Sequence, residues 1–316
     1  MPINLAFLGC GLATRLHSKT LKNFKREVRC FFASRDRQKS NAFNNEFNGD
    51  GYFDSYEAAI KDSRVEVVLV ATPPATHFDL TLQALRAGKH VIVEKPPFLR
   101  STDFDKIRQA QAETNRRVFV AENYFYKPLA FKLRELIRSD LIGEILFVHV
   151  NALKMQTTGN WRDEAGLSGG GALFEGGIHW INFVANLGLA VKSVRGFRPG
   201  ARDGVEKSML VAVEYESGAV GTLAYSWEIP VLLKGVHLSK IYGRKGVMTF
   251  ESNGIFIFVS GAGKKIVFPG LGDIAGYKGM FRDFFEALRS SREPQMSLEL
   301  AQKDLQLIEA VYQSIG

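Results

Sequence analysis

Along the first third of the chain, continuous apolar runs alternate with segments of helical period. INLAFL (3–8), VRCFFAS (28–34), VEVVLVA (65–71), HVIVEK (90–95) and VFVAEN (118–123) are short and rich in β-branched or aromatic residues. They lack the in–out alternation of a half-exposed sheet, so they read as parallel strands buried on both faces. Between them the spacing predicts helices over 15–24, 37–47, 55–61, 75–87 and 101–116, the last with Ser101 and Thr102 as cap candidates ahead of Asp103. Strand and helix in alternation predict an N-terminal α/β domain, a doubly wound parallel sheet with ligands at the carboxyl ends of its strands.

After a helix near 127–138 the pattern changes. Strand-like runs follow one another at 141–155, 193–199, 207–216, 219–229, 236–243, 246–252 and 254–260, with ESG (216–218) and SNG (252–254) as hairpin turns. Consecutive hairpins predict a C-terminal α+β domain with a large, mostly antiparallel sheet, one face covered by helices at 172–187, 277–290 and 297–314. A chain of 316 residues is long for one core, so two domains are expected, 1–121 and 122–316.

Composition excludes more than it assigns. An apolar content of 46% with 23% charged residues leaves no disordered or low-complexity tract to explain. The net charge of +8 is spread along the chain without a basic stripe interleaved with aromatics, so no nucleic-acid partner is expected, only modest attraction for anionic ligands. No apolar run approaches the roughly 18 residues of a membrane span. MPINLAFLGCGLA lacks the cationic start of a secretory signal, and a cytoplasmic protein without a membrane partner is expected. Cys10 and Cys30 lie in apolar, strand-like surroundings without CxxC spacing; they read as free thiols, and no metal is expected.

Candidate chemistry gathers at the strand ends. GCGLAT (9–14) follows the first strand as G-x-G-x-x-T. Gly9 and Gly11 permit a tight turn and close backbone approach to a pyrophosphate, with Leu12 and Ala13 in the same loop; a plain strand-to-helix turn is the competing reading. At the end of the second strand, where an NAD enzyme usually presents an acid, stand Ser34, Arg35 and Asp36. A hydroxyl and a guanidinium suit a 2′-phosphate, which favours NADP(H); in the alternative, Asp36 holds the ribose of NAD(H). ATPPATH (71–77) could pass Ala71, Thr72 and Pro73 across a cofactor with His77 behind them, although a Pro-rich loop needs no ligand. Glu94 and Lys95 end the HVIVEKPP run. A lysine beside a cationic nicotinamide would give up its proton more readily and serve as acid or base; the alternative is a surface ion pair.

GCGLATRLH, ASRD, ATPPATH, GKHVIVEKP, AENYFYKP, LIGEI, GGGALFEGGIH and the closing helices together resemble the Gfo/Idh/MocA family of NAD(P)-dependent oxidoreductases over nearly the whole chain. The resemblance implies a nicotinamide held between a Rossmann domain and a second domain with a predominantly antiparallel sheet. It places Glu94, Trp161 and Arg162 near the cofactor, makes Lys95 a partner in proton transfer at the substrate oxygen, and sets Tyr124 and Tyr126 along the substrate pocket. The family's D-x-x-x-H pair falls on Glu175 and His179, which i,i+4 spacing puts on one helix face. Glu stands in place of Asp there, and Asn182 stands where many members carry a further Asp.

The implied reaction is hydride transfer between nicotinamide C4 and a carbinol or ketone of a sugar, cyclitol or related polyol. Lys95 or His179 would exchange the hydroxyl proton, with Glu175 orienting His179. Two other readings stay open: a redox-neutral, glycosidase-like NAD enzyme and a non-catalytic dinucleotide-binding regulator. The apolar residues of VAVEYE, GTLAYSW and GIFIFV exceed what the expected helices can hide, which predicts a homodimer or homotetramer packed through the second sheet.

Overall fold

A computed structural model describes residues 1–156, 164–200, 204–231 and 236–315. Strands β1 (Ile3–Leu8), β2 (Val28–Ala33), β3 (Gly51–Phe53), β4 (Val67–Val70), β5 (His90–Glu94) and β6 (Val118–Ala121) alternate with helices α1 (Leu12–Leu21), α2 (Arg37–Phe47), α3 (Tyr56–Lys61), α4 (His77–Arg86) and α5 (Asp103–Thr114). The strands pair in parallel in the order β3-β2-β1-β4-β5-β6. The order reverses at β1 and β4, and a crevice for ligands opens at such a switch point. There the Gly9 N–H donates to the Ala33 carbonyl at 3.0 Å and the Ala71 N–H to the Leu8 carbonyl at 2.9 Å. The edge strand β3 escapes sequence reading, because three residues are too few to show a period.

The chain continues through α6 (Pro128–Arg138), β7 (Ile145–Leu153), α7 (Ala165–Ser168), α8 (Ile178–Ala185), β8 (Val191–Phe197), β9 (Ser208–Tyr215), β10 (Val220–Ser226), β11 (Leu238–Gly243), β12 (Gly246–Glu251), β13 (Ile257–Ser260), β14 (Lys264–Val267), α9 (Tyr277–Ser290) and α10 (Leu298–Ser314). Eight strands form a second sheet in the order β14-β13-β12-β11-β7-β10-β9-β8. Every described pairing in it is antiparallel except β7 with β10. ESG joins β9 to β10 and SNG joins β12 to β13, as their turn chemistry predicts. The KKIV segment of β14 carries no such signal, since most of it faces water and its charges hide the strand period.

Two compact units result, one of Met1–Glu122 with Met280–Gln302, the other of Asn123–Gly279 with Lys303–Gly316. In the second unit β7, β9 and β10 turn Val148, Val150, Val211, Val213 and Leu223 inward. Phe183 of α8 packs on Phe250 of β12, ring centroids 6.1 Å apart, and the Tyr215 hydroxyl donates to the Val184 carbonyl at 3.2 Å. A Cβ on Gly196 of β8 would come within 2.7 Å of Val311, so α10 seats on the sheet where that strand lacks a side chain.

One helix packs elsewhere than its sequence suggests. The helix predicted at 277–290 forms as α9, but its three phenylalanines, Phe281, Phe284 and Phe285, lie in the first unit rather than on the second sheet. Phe281 packs on His17 and Phe24, Phe284 on Phe119, and Phe285 on Phe24. Each such buried ring contributes about 1.5–3 kcal/mol. Helical periodicity identifies the apolar face of α9; it carries no information about which sheet receives that face. At α5, Thr102 is the N-cap residue without a side-chain cap bond, and the Ser101 carbonyl accepts from Gln302 Nε2 at 2.9 Å.

Candidate functional site

The turn after β1 has the features of a pyrophosphate cradle. Gly9 sits at φ +106°, a region that side chains oppose, and a Cβ on it would lie 2.6 Å from the Ala71 carbonyl oxygen. Space around Gly11 is open, and α1 begins there with no side-chain cap and no acid in its first turn. Its leading amides thus keep their donors and partial positive charge for an anion. Thr14, at the third position of the motif, is buried and donates its hydroxyl to the Gly9 carbonyl at 2.6 Å, which fixes the turn from below. Cys10 lies between the two glycines, and burial pushes its thiol up to about 11, so it stays protonated and unreactive. These residues fit a dinucleotide.

At the end of β2, Asp36 caps α2. Its Oδ1 accepts the amides of Gln38 and Lys39 at 2.9 and 3.2 Å, and its own N–H donates to Ser34 Oγ at 3.1 Å. One carboxylate oxygen is therefore committed to the helix start. Arg35 is exposed and hydrogen-bonded to the Tyr56 phenol, whose proton affinity burial raises.

The segment around Lys95 is held from both sides. His17 on α1 pairs through Nε2 with Glu94 Oε1, and Glu94 Oε2 accepts the Lys95 N–H at 3.2 Å. Glu94 therefore points to a buried histidine of its own unit and also takes the Lys95 amide. On the other side, the Lys95–Pro96 bond is cis, and the Pro96 carbonyl lies 2.9 Å from His77 Nδ1. His77 Nε2 lies 2.8 Å from the Thr72 carbonyl, and the residue is 1% exposed. With both ring nitrogens on backbone carbonyls, His77 can serve a cofactor through the loops it ties together, not through a polar atom of its own. Burial lowers its proton affinity, against the pull of the two carbonyls and Glu94. Thr72 and Thr76 share a hydroxyl hydrogen bond at 2.7 Å, and Thr76 donates onward to the Pro73 carbonyl, so Thr72 Oγ1 retains acceptor capacity beside Ala71 and Pro73.

In the second unit, Glu175 lies in a single π-helical turn, Leu173–Gly177, that runs directly into α8 with His179 in its first turn. Such turns recur at functional sites. Gly176 and Gly177 let Tyr225 rise beneath the turn: a Cβ on Gly176 would collide with its hydroxyl, and one on Gly177 would lie 3.2 Å from its ring. Trp227 Nε1 donates to that hydroxyl at 2.8 Å, and burial holds Tyr225 firmly protonated. Glu175 is buried and His179 partly exposed.

His179 stacks on Tyr124, ring centroids 4.4 Å apart and planes 15° from parallel. Trp180 meets the same ring edge-on at 5.2 Å. The Lys127 ammonium lies 4.3 Å from the Tyr124 centroid and 5.9 Å from that of Trp180, although the residue is only 3% exposed. Tyr126 is buried and packs edge-on against Phe125 at 5.2 Å, so its surroundings differ from those of Tyr124. Asn182, fully buried, donates Nδ2 to Asp304 Oδ2 at 2.6 Å. Trp161 and Arg162 lie outside the described residues. Sequence reasoning misses His17, Lys127 and Asp304. The one available signal among them is a cation set just before Pro128 at the start of α6. Among the described residues no group of three His, Cys, Asp or Glu could hold a metal ion, and no helix is long and apolar enough to cross a membrane.

A parallel sheet with an uncapped glycine turn at its switch point, joined in one chain to a mostly antiparallel sheet, defines a two-sheet protein with a dinucleotide-binding Rossmann fold. The chain belongs to the GFO/IDH/MocA family: residues 3–122 match its "Oxidoreductase family, NAD-binding Rossmann fold" and residues 131–249 its C-terminal domain. Oxidoreductase P35 of Formosa agariphila is 27% identical over 202 residues, a match that covers 61% of this chain and 63% of that protein, less than two thirds of its length. An oxidoreductase structure from Thermotoga maritima is 26% identical with a TM-score of 0.88, covering 100% of this chain and 97% of its own. Levoglucosan dehydrogenase, solved with NADH and levoglucosan, has the same fold at 21% identity, with a TM-score of 0.87 over 99% of this chain and 97% of its own.

Proposed function

We propose that the protein is a dehydrogenase or reductase of a sugar, cyclitol or related polyol, with NADP(H) as its preferred cofactor. The observation that carries this reading is the double restraint on Lys95, by Glu94 at its amide and by His77 at the following carbonyl. A catalytic amine must be held to within a fraction of an ångström of its working position. The amides of Leu12 and Ala13 with Gly9 and Gly11 would hold the pyrophosphate, and Ala71, Thr72 and Pro73 would pass along the cofactor. Ser34 and Arg35 would meet a 2′-phosphate, a choice supported by the commitment of Asp36 to its helix. When bound, the nicotinamide supplies the hydride acceptor or donor at C4. Lys95 takes or returns the proton of the reacting hydroxyl at Nζ. His179 and Glu175 hold neighbouring hydroxyls and can share that proton, while Tyr124 offers a ring face to sugar C–H groups. The name of levoglucosan dehydrogenase supports a carbohydrate substrate.

Nicotinamide absorbance followed over a panel of sugars, cyclitols and polyols tests this, with NADP⁺ and NAD⁺ in parallel. Turnover with net cofactor reduction is expected. Substrate conversion with bound, non-exchanging NAD(H) and no net absorbance change would favour a redox-neutral enzyme, and cofactor binding without turnover a regulator. The outward face of the second sheet carries Phe147, Leu210, Val220 and Leu238, all exposed. Self-association through that face is part of the proposal; a strictly monomeric mass by light scattering would exclude it.

A further inference from the structure

The Glu206 side chain presses on the turn that carries Glu175. Its Oε1 accepts the Leu173 N–H at 2.9 Å and the Tyr312 hydroxyl at 2.7 Å, and its backbone carbonyl accepts the Ala172 N–H at 2.8 Å. Gly171 is so close that a Cβ there would collide with the same carboxylate. One residue thus takes two amides at the head of the helical segment, donors that have no partner within the helix itself. The Glu175 N–H then closes on the Gly171 carbonyl at 3.0 Å, so the main chain of Glu175 follows wherever Gly171 is held. Burial raises the proton affinity of Glu206, so its charge is costly where it stands. An apolar side chain would fill the space without that cost but could not accept from Leu173 and Tyr312 together.

We infer that Glu206, braced by Tyr312, is a positioning residue for the Glu175–His179 pair: it sets the entry angle of the π-helical turn and thereby the orientation of both side chains toward substrate. The inference rests on the assignment of that pair to substrate made above. It also accounts for the last glycine of the run at 169–171, since Gly171 makes room for the carboxylate.

The test uses the whole 316-residue chain with Glu206→Ala, Glu206→Gln, Tyr312→Phe and His179→Ala. For each, kcat, substrate KM, NADPH Kd and melting temperature are measured. Glu206→Ala should lower kcat by about 10–100-fold while NADPH affinity stays within about twofold, the scale expected when reacting groups are misplaced rather than removed. Glu206→Gln keeps an acceptor oxygen and should stay within about threefold of the parent, because the hydrogen bonds and not the charge set the angle. In the His179→Ala background, Glu206→Ala should cost little more, since both act on one step. Glu206→Ala with a lowered melting temperature but parental kcat would make Glu206 a mere helix cap and overturn the inference. So would a Gln variant as impaired as the Ala variant. If Glu206→Ala does not fold, Tyr312→Phe decides: an unchanged kcat overturns the inference, and a loss with unchanged NADPH affinity supports it. Full activity in His179→Ala would instead remove the substrate reading itself, whatever Glu206 does.

Discussion

His77 and Pro96 join two loops that the sequence separates: Nδ1 of His77 lies 2.9 Å from the Pro96 carbonyl oxygen, at the far side of the Lys95 peptide from Glu94. The loop after β4 and the loop after β5 are therefore tied through one imidazole, and Lys95 sits next to that tie. Part of the explanation for a charged pair that closes an otherwise apolar strand lies here: Glu94 turns back to His17 while it accepts the Lys95 amide, which holds the main chain at Lys95.

Lys95→Ala should reduce kcat by about 10²–10⁴, the usual scale for loss of a general acid–base, with NADPH affinity and melting temperature almost unchanged. Lys95→Arg should not restore turnover, because a guanidinium does not release its proton near neutrality. Full activity in Lys95→Ala together with a melting temperature several degrees lower would show a structural lysine.

Arg35→Ala should weaken NADPH by about 1.5–3 kcal/mol through loss of a charge-assisted hydrogen bond to the 2′-phosphate, and leave NADH nearly untouched. Titration of both cofactors by fluorescence checks this. Equal losses would return the ribose to Asp36 and end the preference for NADP(H).

How far the sequence reveals this arrangement depends on the range of each interaction. The parallel strands, the hairpins at ESG and SNG and the Gly9 turn are local signals, and each is found where its residues predict. The partners of α9, the pairing of β7 with β10 and the His17–Glu94 contact span tens of residues or more, and no periodicity encodes them. His77 illustrates the boundary. Its place after a strand end is legible, yet that both ring nitrogens would be taken by carbonyls of two loops emerges only from the folded chain.

Asn182→Asp tests the second unit by charge. Asn182 is 0% exposed and Asp304 2%, and the amide of the first donates to the carboxylate of the second at 2.6 Å. An Asp at 182 would set two carboxyls face to face, and one of them must take a proton. At neutral pH the variant should lose about 1–3 kcal/mol of stability and recover part of it in mild acid. The swap Asn182→Asp with Asp304→Asn restores one donor and one carboxylate and should recover most of the loss at neutral pH. A single variant as stable as the parent at neutral pH would show that the pair tolerates like charge.

His90 gives the first unit a pH dependence of its own. It opens β5, and its Nδ1 accepts the Arg117 N–H at 3.1 Å, which requires the lone pair of a ring not protonated there. Burial first, then Arg116 and Arg117, pushes its pKa down from 6.5 to about 4. Between those values the unfolded chain binds a proton that the folded chain refuses. The contribution of His90 to stability is therefore complete above pH 6.5 and is lost progressively as pH falls toward about 4. Replacing it by Gln, whose side-chain oxygen can accept the same amide, removes the titration while it keeps the acceptor. Melting temperatures across that window should fall less steeply for His90→Gln than for the parent. Parallel curves would mean that the imidazole is protonated in the folded state and that the Arg117 amide bonds elsewhere.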